Sequence, residues 1–104
     1  MKEEIFAKIL NVVCSETEIP ASTVIAKCTK AEAVDARHII ARLLYEQGFY
    51  KSQIAERLHL TDRAVCFMLG GFEERLRYNR MMRINYERIK KRLCGDNEKG
   101  WNVE

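Results

Sequence analysis

Thr61, Asp62 and Arg63 stand side by side, and their chemistry is that of recognition rather than bond breaking. A guanidinium such as that of Arg63 can donate two parallel hydrogen bonds to the O6 and N7 edge of a guanine, a pairing worth about 1–3 kcal/mol of discrimination. The Asp62 carboxylate can accept from the N4 amine of cytosine. A helix that opens at Thr61 aims its first backbone N–H groups at an anion such as a phosphate. Cys66 and Phe67 fall on the same outward face. They can meet a thymine methyl, or equally the surface of a protein, because aromatic side chains favour interface hot spots. Lys27, Lys30, Arg37 and Lys51 are cations able to neutralise phosphates and release counterions. For Arg37 the plain alternative is a surface ion pair with Glu32 or Glu46, a contact worth little.

Other chemistries find no residues to carry them. His38 and His59 are far apart, and Cys14, Cys28, Cys66 and Cys94 include no Cys-x-x-Cys pair. Free thiols in a reducing compartment are the expectation, with no metal and no cofactor. No Gly-rich loop precedes a Lys, and no nucleophile stands in a pattern with a base, so an enzyme is not expected.

These side chains need elements to position them. Ile54, Ala55 and Leu58 form an apolar stripe at helical spacing, His59 and Leu60 break it, and Val65, Met68 and Leu69 resume it. Thr61 suits the N-cap of the second helix, and Asp62 its positive end. Two short helices joined by a tight turn, over about residues 51–69, are the layout of a helix-turn-helix. Ile54, Leu58, Leu60, Val65 and Met68 would be buried, and Thr61, Asp62, Arg63, Cys66 and Phe67 exposed. His59 holds the turn position that tends toward positive φ and usually carries Gly.

The chain has 104 residues, enough for one domain, with 47% hydrophobic and 32% charged residues. That composition is globular rather than disordered. No apolar run approaches the roughly 20 residues that span a bilayer, and the acidic, spaced N-terminus is unlike a signal peptide. A cytoplasmic location with no membrane association is the expectation. The net charge of +3 is uneven. Between 75 and 92, eight basic residues (Arg75, Arg77, Arg80, Arg83, Arg88, Lys90, Lys91 and Arg92) face Glu87 alone. Such a stripe beside a helix-turn-helix is an electrostatic footprint for nucleic acid; its bland counterpart is a solvated helix face.

Along the chain, the spacing predicts a helix over 3–14 with Ile5, Phe6, Ile9, Leu10 and Val13 inward. A polar connection follows over 15–19, then a short helix opening at Pro20 with Val24 and Ile25 inward. Thr29 and Glu32 match a capping box for a helix over about 31–47, with Val34, Ile39, Ile40, Leu43 and Leu44 on its apolar face. Gly48 suits its left-handed cap. Gly70 and Gly71 should end or bend the second motif helix, since Gly costs a helix interior about 1 kcal/mol relative to Ala. A last helix is expected over about 72–93, its stripe of Phe72, Leu76, Met82, Tyr86, Ile89 and Leu93 interrupted by Asn79. Residues 1–94 would be one helical domain. Residues 95–104 lack periodicity and are expected to fray; Trp101 could dock back on the core or sit exposed, and the sequence leaves both open.

Over about residues 3–93 the chain resembles the C-terminal DNA-binding domain of the bacterial replication initiator DnaA. Ala36-Arg37-His38-Ile39-Ile40-Ala41 looks like that family's Ala/Pro-Arg-Gln-hydrophobic-hydrophobic-Ala, and Ser52-Gln53-Ile54-Ala55 stands where it has Pro-Glu-Ile-Gly. The resemblance implies an all-α bundle with a helix-turn-helix, like the DnaA C-terminal domain and Trp repressor. It implies phosphate contacts from Arg37 and from Lys51, Ser52 and Gln53. The family reads its box with Asp-His-Thr-Thr. Here Asp62 matches, Arg63 replaces His, and Ala64 and Val65 replace the two Thr. The family's Arg-rich loop is thinned to Lys27 and Lys30. The ATP-binding module is absent, so the chain looks like a stand-alone relative on a bacterial or mobile-element replicon. The function expected is binding of double-stranded DNA in replication initiation or transcription regulation. The alternative is a module of the same fold that binds a replication or regulatory protein through Phe67 and Cys66, with Trp101 a further candidate contact. Oligomeric state and target site stay open.

Overall fold

The computed structural model describes residues 2–25 and 30–96, and among these every regular element is a helix. They run α1 (Lys2–Thr17), α2 (Ala21–Ile25), α3 (Ala31–Glu46), α4 (Lys51–Leu58), α5 (Asp62–Gly70), α6 (Phe72–Tyr78) and α7 (Arg80–Asp96). No helix among the described residues is long and apolar enough to cross a membrane.

Helix α3 is the axis. It packs on α1, α2, α4 and α5, while α7 packs on α1 and α6. Its length comes from a stripe wider than the sequence suggests: Ala33, Ala36, Ile39, Ile40, Ala41, Leu43 and Leu44 are all buried, and the small Ala residues let neighbours approach closely. Val34, expected inside, is half-buried. Around α3 the core gathers Ile9, Val13, Val24, Phe49, Ile54, Leu58, Val65, Phe72, Met82, Ile89 and Leu93. Phe49 and Phe72 are its largest fully buried side chains. Burying a side chain of this kind stabilises the fold by about 1.5–3 kcal/mol relative to leaving it exposed.

Three helices end in one way. At the end of α3, Gly48 takes φ +95°, its N–H donates to Tyr45 O, and the Phe49 N–H reaches back to Leu44 O at 3.1 Å. At the end of α4, His59 takes φ 59° and the Leu60 N–H reaches Ala55 O at 2.8 Å. At the end of α1, Glu18 takes φ 60° and the Ile19 N–H reaches Cys14 O at 3.3 Å. Each is a left-handed cap that satisfies orphan carbonyls. Gly48 meets the expectation for it, and His59 holds the positive φ expected of its position. Glu18 was unforeseen. It accompanies a correction, because α1 runs through Thr17 instead of yielding to a polar connection at 15. The Thr17 hydroxyl donates to Val13 O at 2.7 Å within that extra turn.

Helix α3 starts at Ala31 as expected, with Lys30 as its N-cap and no side-chain cap hydrogen bond; Thr29, expected in a capping box with Glu32, lies outside the described residues. A further boundary differs from expectation. The expected helix over 72–93 is two helices. Asn79 is extended (φ −121°, ψ 95°), and its side-chain oxygen accepts from Met82 N–H at 3.0 Å, capping α7. Helix α7 continues to Asp96; residues 97–104, Trp101 among them, lie outside the described residues.

Candidate nucleic-acid interface

The connection between α4 and α5 is three residues, His59, Leu60 and Thr61. His59 reverses the chain with its left-handed cap. Leu60 turns inward against the core, half-buried where full burial was expected. Thr61 starts α5: its backbone is extended, and its Oγ1 accepts from Ala64 N–H at 3.1 Å. Ile54, Ala55 and Leu58 of α4 and Val65 and Met68 of α5 are buried where the two helices meet each other and α3. At the start of α4 the Gln53 side-chain oxygen accepts from Tyr50 N–H at 2.9 Å. Gln53 therefore serves as a cap, and its carbonyl oxygen is committed to the fold.

With Val65 and Met68 inward, helical geometry turns Arg63, Cys66, Phe67 and Gly70 outward as one strip at positions i, i+3, i+4 and i+7. All four are exposed, as are Thr61 and Asp62. Phe67 is 83% exposed, more than any other large hydrophobic residue among those described. A Cβ added at Gly70 would meet nothing within 4 Å. Lys51, exposed at the start of α4, brings its Nζ to 3.6 Å from Cys66 Sγ. Ser52 is exposed beside it. The fold thus assembles Lys51, Cys66 and the Thr61–Arg63 triplet on one surface.

The remaining expected residues lie elsewhere. Lys30 lines a cleft with Thr17, Ile19, Pro20, Thr23 and Glu32, none of which belongs to α4 or α5. Arg37 is half-buried on α3. Lys27 is outside the described residues. The Glu46 carboxylate takes Arg42 Nε at 3.0 Å, Tyr86 Oη at 2.8 Å and Lys90 Nζ at 3.7 Å. That cluster, with Arg42 5.2 Å above the Phe72 ring, ties α3 to α6 and α7. Burial first, then the hydrogen bond to Glu46, raises the Tyr86 hydroxyl well above its ordinary pKa.

Beside the strip opens a groove of about 470 Å³, lined by His38, Phe67, Met68, Gly71, Arg75, Tyr78 and Asn79 among others. Tyr78 is 78% exposed at its edge, and sequence reasoning missed it, since nothing in its spacing separates it from a surface helix. The His38 Nδ1–H donates to Val34 O at 2.8 Å. Burial lowers the His38 pKa below 6.5; the backbone bond and Asp35 oppose this, while Arg75 and Arg37 reinforce it. The imidazole is therefore neutral at pH 7. The groove wall is fixed by Asp35, which takes Arg75 Nη1 at 3.0 Å and Asn79 Nδ2 at 3.0 Å. Burial raises the pKa of the Cys14 thiol, which disfavours its thiolate.

Ion pairing thins the cationic stripe read from the sequence. The exposed charged residues of α4 and α5 are Lys51, Glu56, Asp62 and Arg63, two of each sign. The eight cations of 75–92 divide: Arg75 pairs with Asp35, Lys90 with Glu46 and Arg92 with Glu16. Arg77, Arg80, Arg83, Arg88 and Lys91 are exposed, and none is in an ion pair among the described residues. The exposed cations outside ion pairs are therefore concentrated on α7, with Arg77 at the end of α6, where Glu73 and Glu74 are also exposed.

No protein-family model, curated protein or solved structure matches the chain.

Proposed function

We propose that the chain is a double-stranded DNA-binding module, with α4 and α5 as a helix-turn-helix and α5 as the helix that enters the major groove. The observation that carries this is the outward strip of α5. A helix of nine residues, capped by Thr61 and held at an angle by the His59 turn, presents Arg63 near its N-terminal end. Recognition helices meet base edges with their N-terminal residues. Arg63 reads a guanine, Asp62 a cytosine, and Lys51 and Ser52 hold the flanking phosphates. Gly70 lets a groove wall come close to the helix, and Cys66 offers a small apolar contact. The motif resembles the DnaA C-terminal domain, and a role in replication initiation or transcription regulation on a bacterial or mobile replicon is part of the proposal. Val65 is fully buried, so the last position of the four that family uses for its box reads no base here. The site read is a different one.

A second reading draws on Phe67 and Tyr78. Two aromatic rings this exposed beside one groove suit a protein partner, bound in replication or regulation with little dependence on salt.

The test is selection of a random-sequence duplex library by the purified protein at two salt concentrations. The DNA reading expects an enriched motif and an affinity that falls steeply with salt. Absence of duplex binding at low salt would sink it and favour the protein partner.

A further inference from the structure

We infer that the outward face of α7, with the end of α6, is a second and sequence-independent contact for the sugar–phosphate backbone of duplex DNA. The inference rests on the DNA-binding reading and adds a surface to it.

Met82, Tyr86, Ile89 and Leu93 are the buried stripe of α7. On an α-helix this stripe leaves the opposite side to Arg80, Arg83, Ile84, Glu87, Arg88 and Lys91, and all six are exposed. Arg77 continues the surface onto α6, where it is exposed too. Five cations therefore stand against Glu87, four of them spread over about 16 Å of α7 from Arg80 to Lys91 at 1.5 Å per residue. The fold has acids to spare for pairing and spends them elsewhere. Asp35, Glu46 and Glu16 each hold a neighbouring cation of the same segment. What stays exposed is the unneutralised part, and a field of one sign on a helix face attracts the opposite sign.

Duplex DNA is a regular polyanion, with one charge per about 1.7 Å of axis. A row of arginines matches it without reading bases, because phosphate contacts position a protein and carry no sequence. The α4–α5 surface, with charges that cancel, cannot supply that attraction. The division of labour follows: α5 reads and α7 attracts. An anionic bilayer is the less fitting occupant. Interfacial helices bury a broad apolar face in lipid, whereas the apolar stripe of α7 is already in the core and its outer face offers Met81 and Ile84, the latter 36% exposed.

The experiment compares R80E/R83E/K91E and its neutral counterpart R80Q/R83Q/K91Q with R63A. Each is titrated against a random-sequence duplex and the enriched duplex over a range of salt, with urea midpoints checking the fold. Both α7 variants should lose at least tenfold in affinity for the random duplex. The neutral one should lower the slope of log affinity against log salt by about 2–3, one unit for each phosphate contact removed, and keep the preference for the enriched duplex. R63A should lose the preference and keep the random-duplex affinity within a few-fold. Unchanged affinity and slope in folded α7 variants would overturn the inference and leave the α5 reading standing. Binding through α7 with no enriched sequence would do the reverse. No duplex binding at low salt, or binding to vesicles of anionic phospholipid in place of duplex, overturns it as well.

Discussion

The Lys51 ammonium sits 3.6 Å from the Cys66 sulfur, joining the first residue of α4 to the middle of the outward strip of α5 across fifteen positions of sequence. Cys66 is exposed, so a reagent in solvent can reach its sulfur, whereas Cys14 is half-buried. Maleimide alkylation, read peptide by peptide by mass spectrometry, should modify Cys66 faster than half-buried Cys14. The enriched duplex should protect Cys66 at saturating concentration. Unchanged alkylation of Cys66 in the bound state would remove the α5 strip from the interface.

Gly70 separates stability from binding. Its added methyl meets no neighbour, so Gly70→Ala should raise unfolding free energy by about 0.5–1 kcal/mol through helix propensity alone. If a groove wall lies against the strip, the same change should weaken the enriched duplex several-fold. A gain in urea midpoint with affinity intact would show that nothing approaches Gly70.

His59 is strained for the sake of the turn. An L-residue in the left-handed region costs about 1–2 kcal/mol, partly offset in Gly by its greater chain entropy. His59→Gly should therefore stabilise the protein by about 0.5–1 kcal/mol, seen as a higher urea midpoint at unchanged m-value.

Asn79 does two jobs at the α6–α7 break, capping Met82 N–H and donating to Asp35. Asn79→Ala should cost about 1–2 kcal/mol from the lost cap and the lost bond. It should also loosen the groove wall, with faster amide exchange at the start of α7. A loss below a few tenths of a kcal/mol would mean that core packing alone sets the break.

His38 couples the groove to pH. Its pKa in the fold is lowered, so the unfolded chain binds the proton more readily and stability falls as pH drops below 6.5. Asp35, Arg75 and Arg37 are the charges that act on it. The urea midpoint should fall between pH 7.5 and pH 5.5, and His38→Gln should reduce that fall. An identical pH dependence in the variant would assign the acid sensitivity to the carboxylates.

The caps and stripes of this chain were legible because they are local. Thr61 and Gly48 act within a few residues of themselves, and the buried faces of α1, α4 and α5 follow from a period of 3.6. The left-handed His59 was legible for the same reason, since the turn demands it whichever residue stands there. Asn79 could be seen to interrupt a stripe, but not to end a helix. Its effect depends on Asp35, forty-four positions away, which holds the side chain where it caps α7. Glu18 gave no sign at all, because a charged residue in a left-handed cap is tolerated only when the packing on either side requires the turn.

The candidate surface divides along the same line. The sequence by itself determined which residues of α5 look outward, because helical spacing leaves Arg63, Cys66 and Phe67 no place in the core. Only the tertiary structure decided where the charge lies. Which cations of 75–92 are neutralised depends on whether α1 and α3 bring Glu16, Asp35 and Glu46 within about 4 Å of them. A sum along the chain cannot see that distance: it counted eight cations over 75–92, and the fold pairs Arg75, Lys90 and Arg92 with acids of α1 and α3.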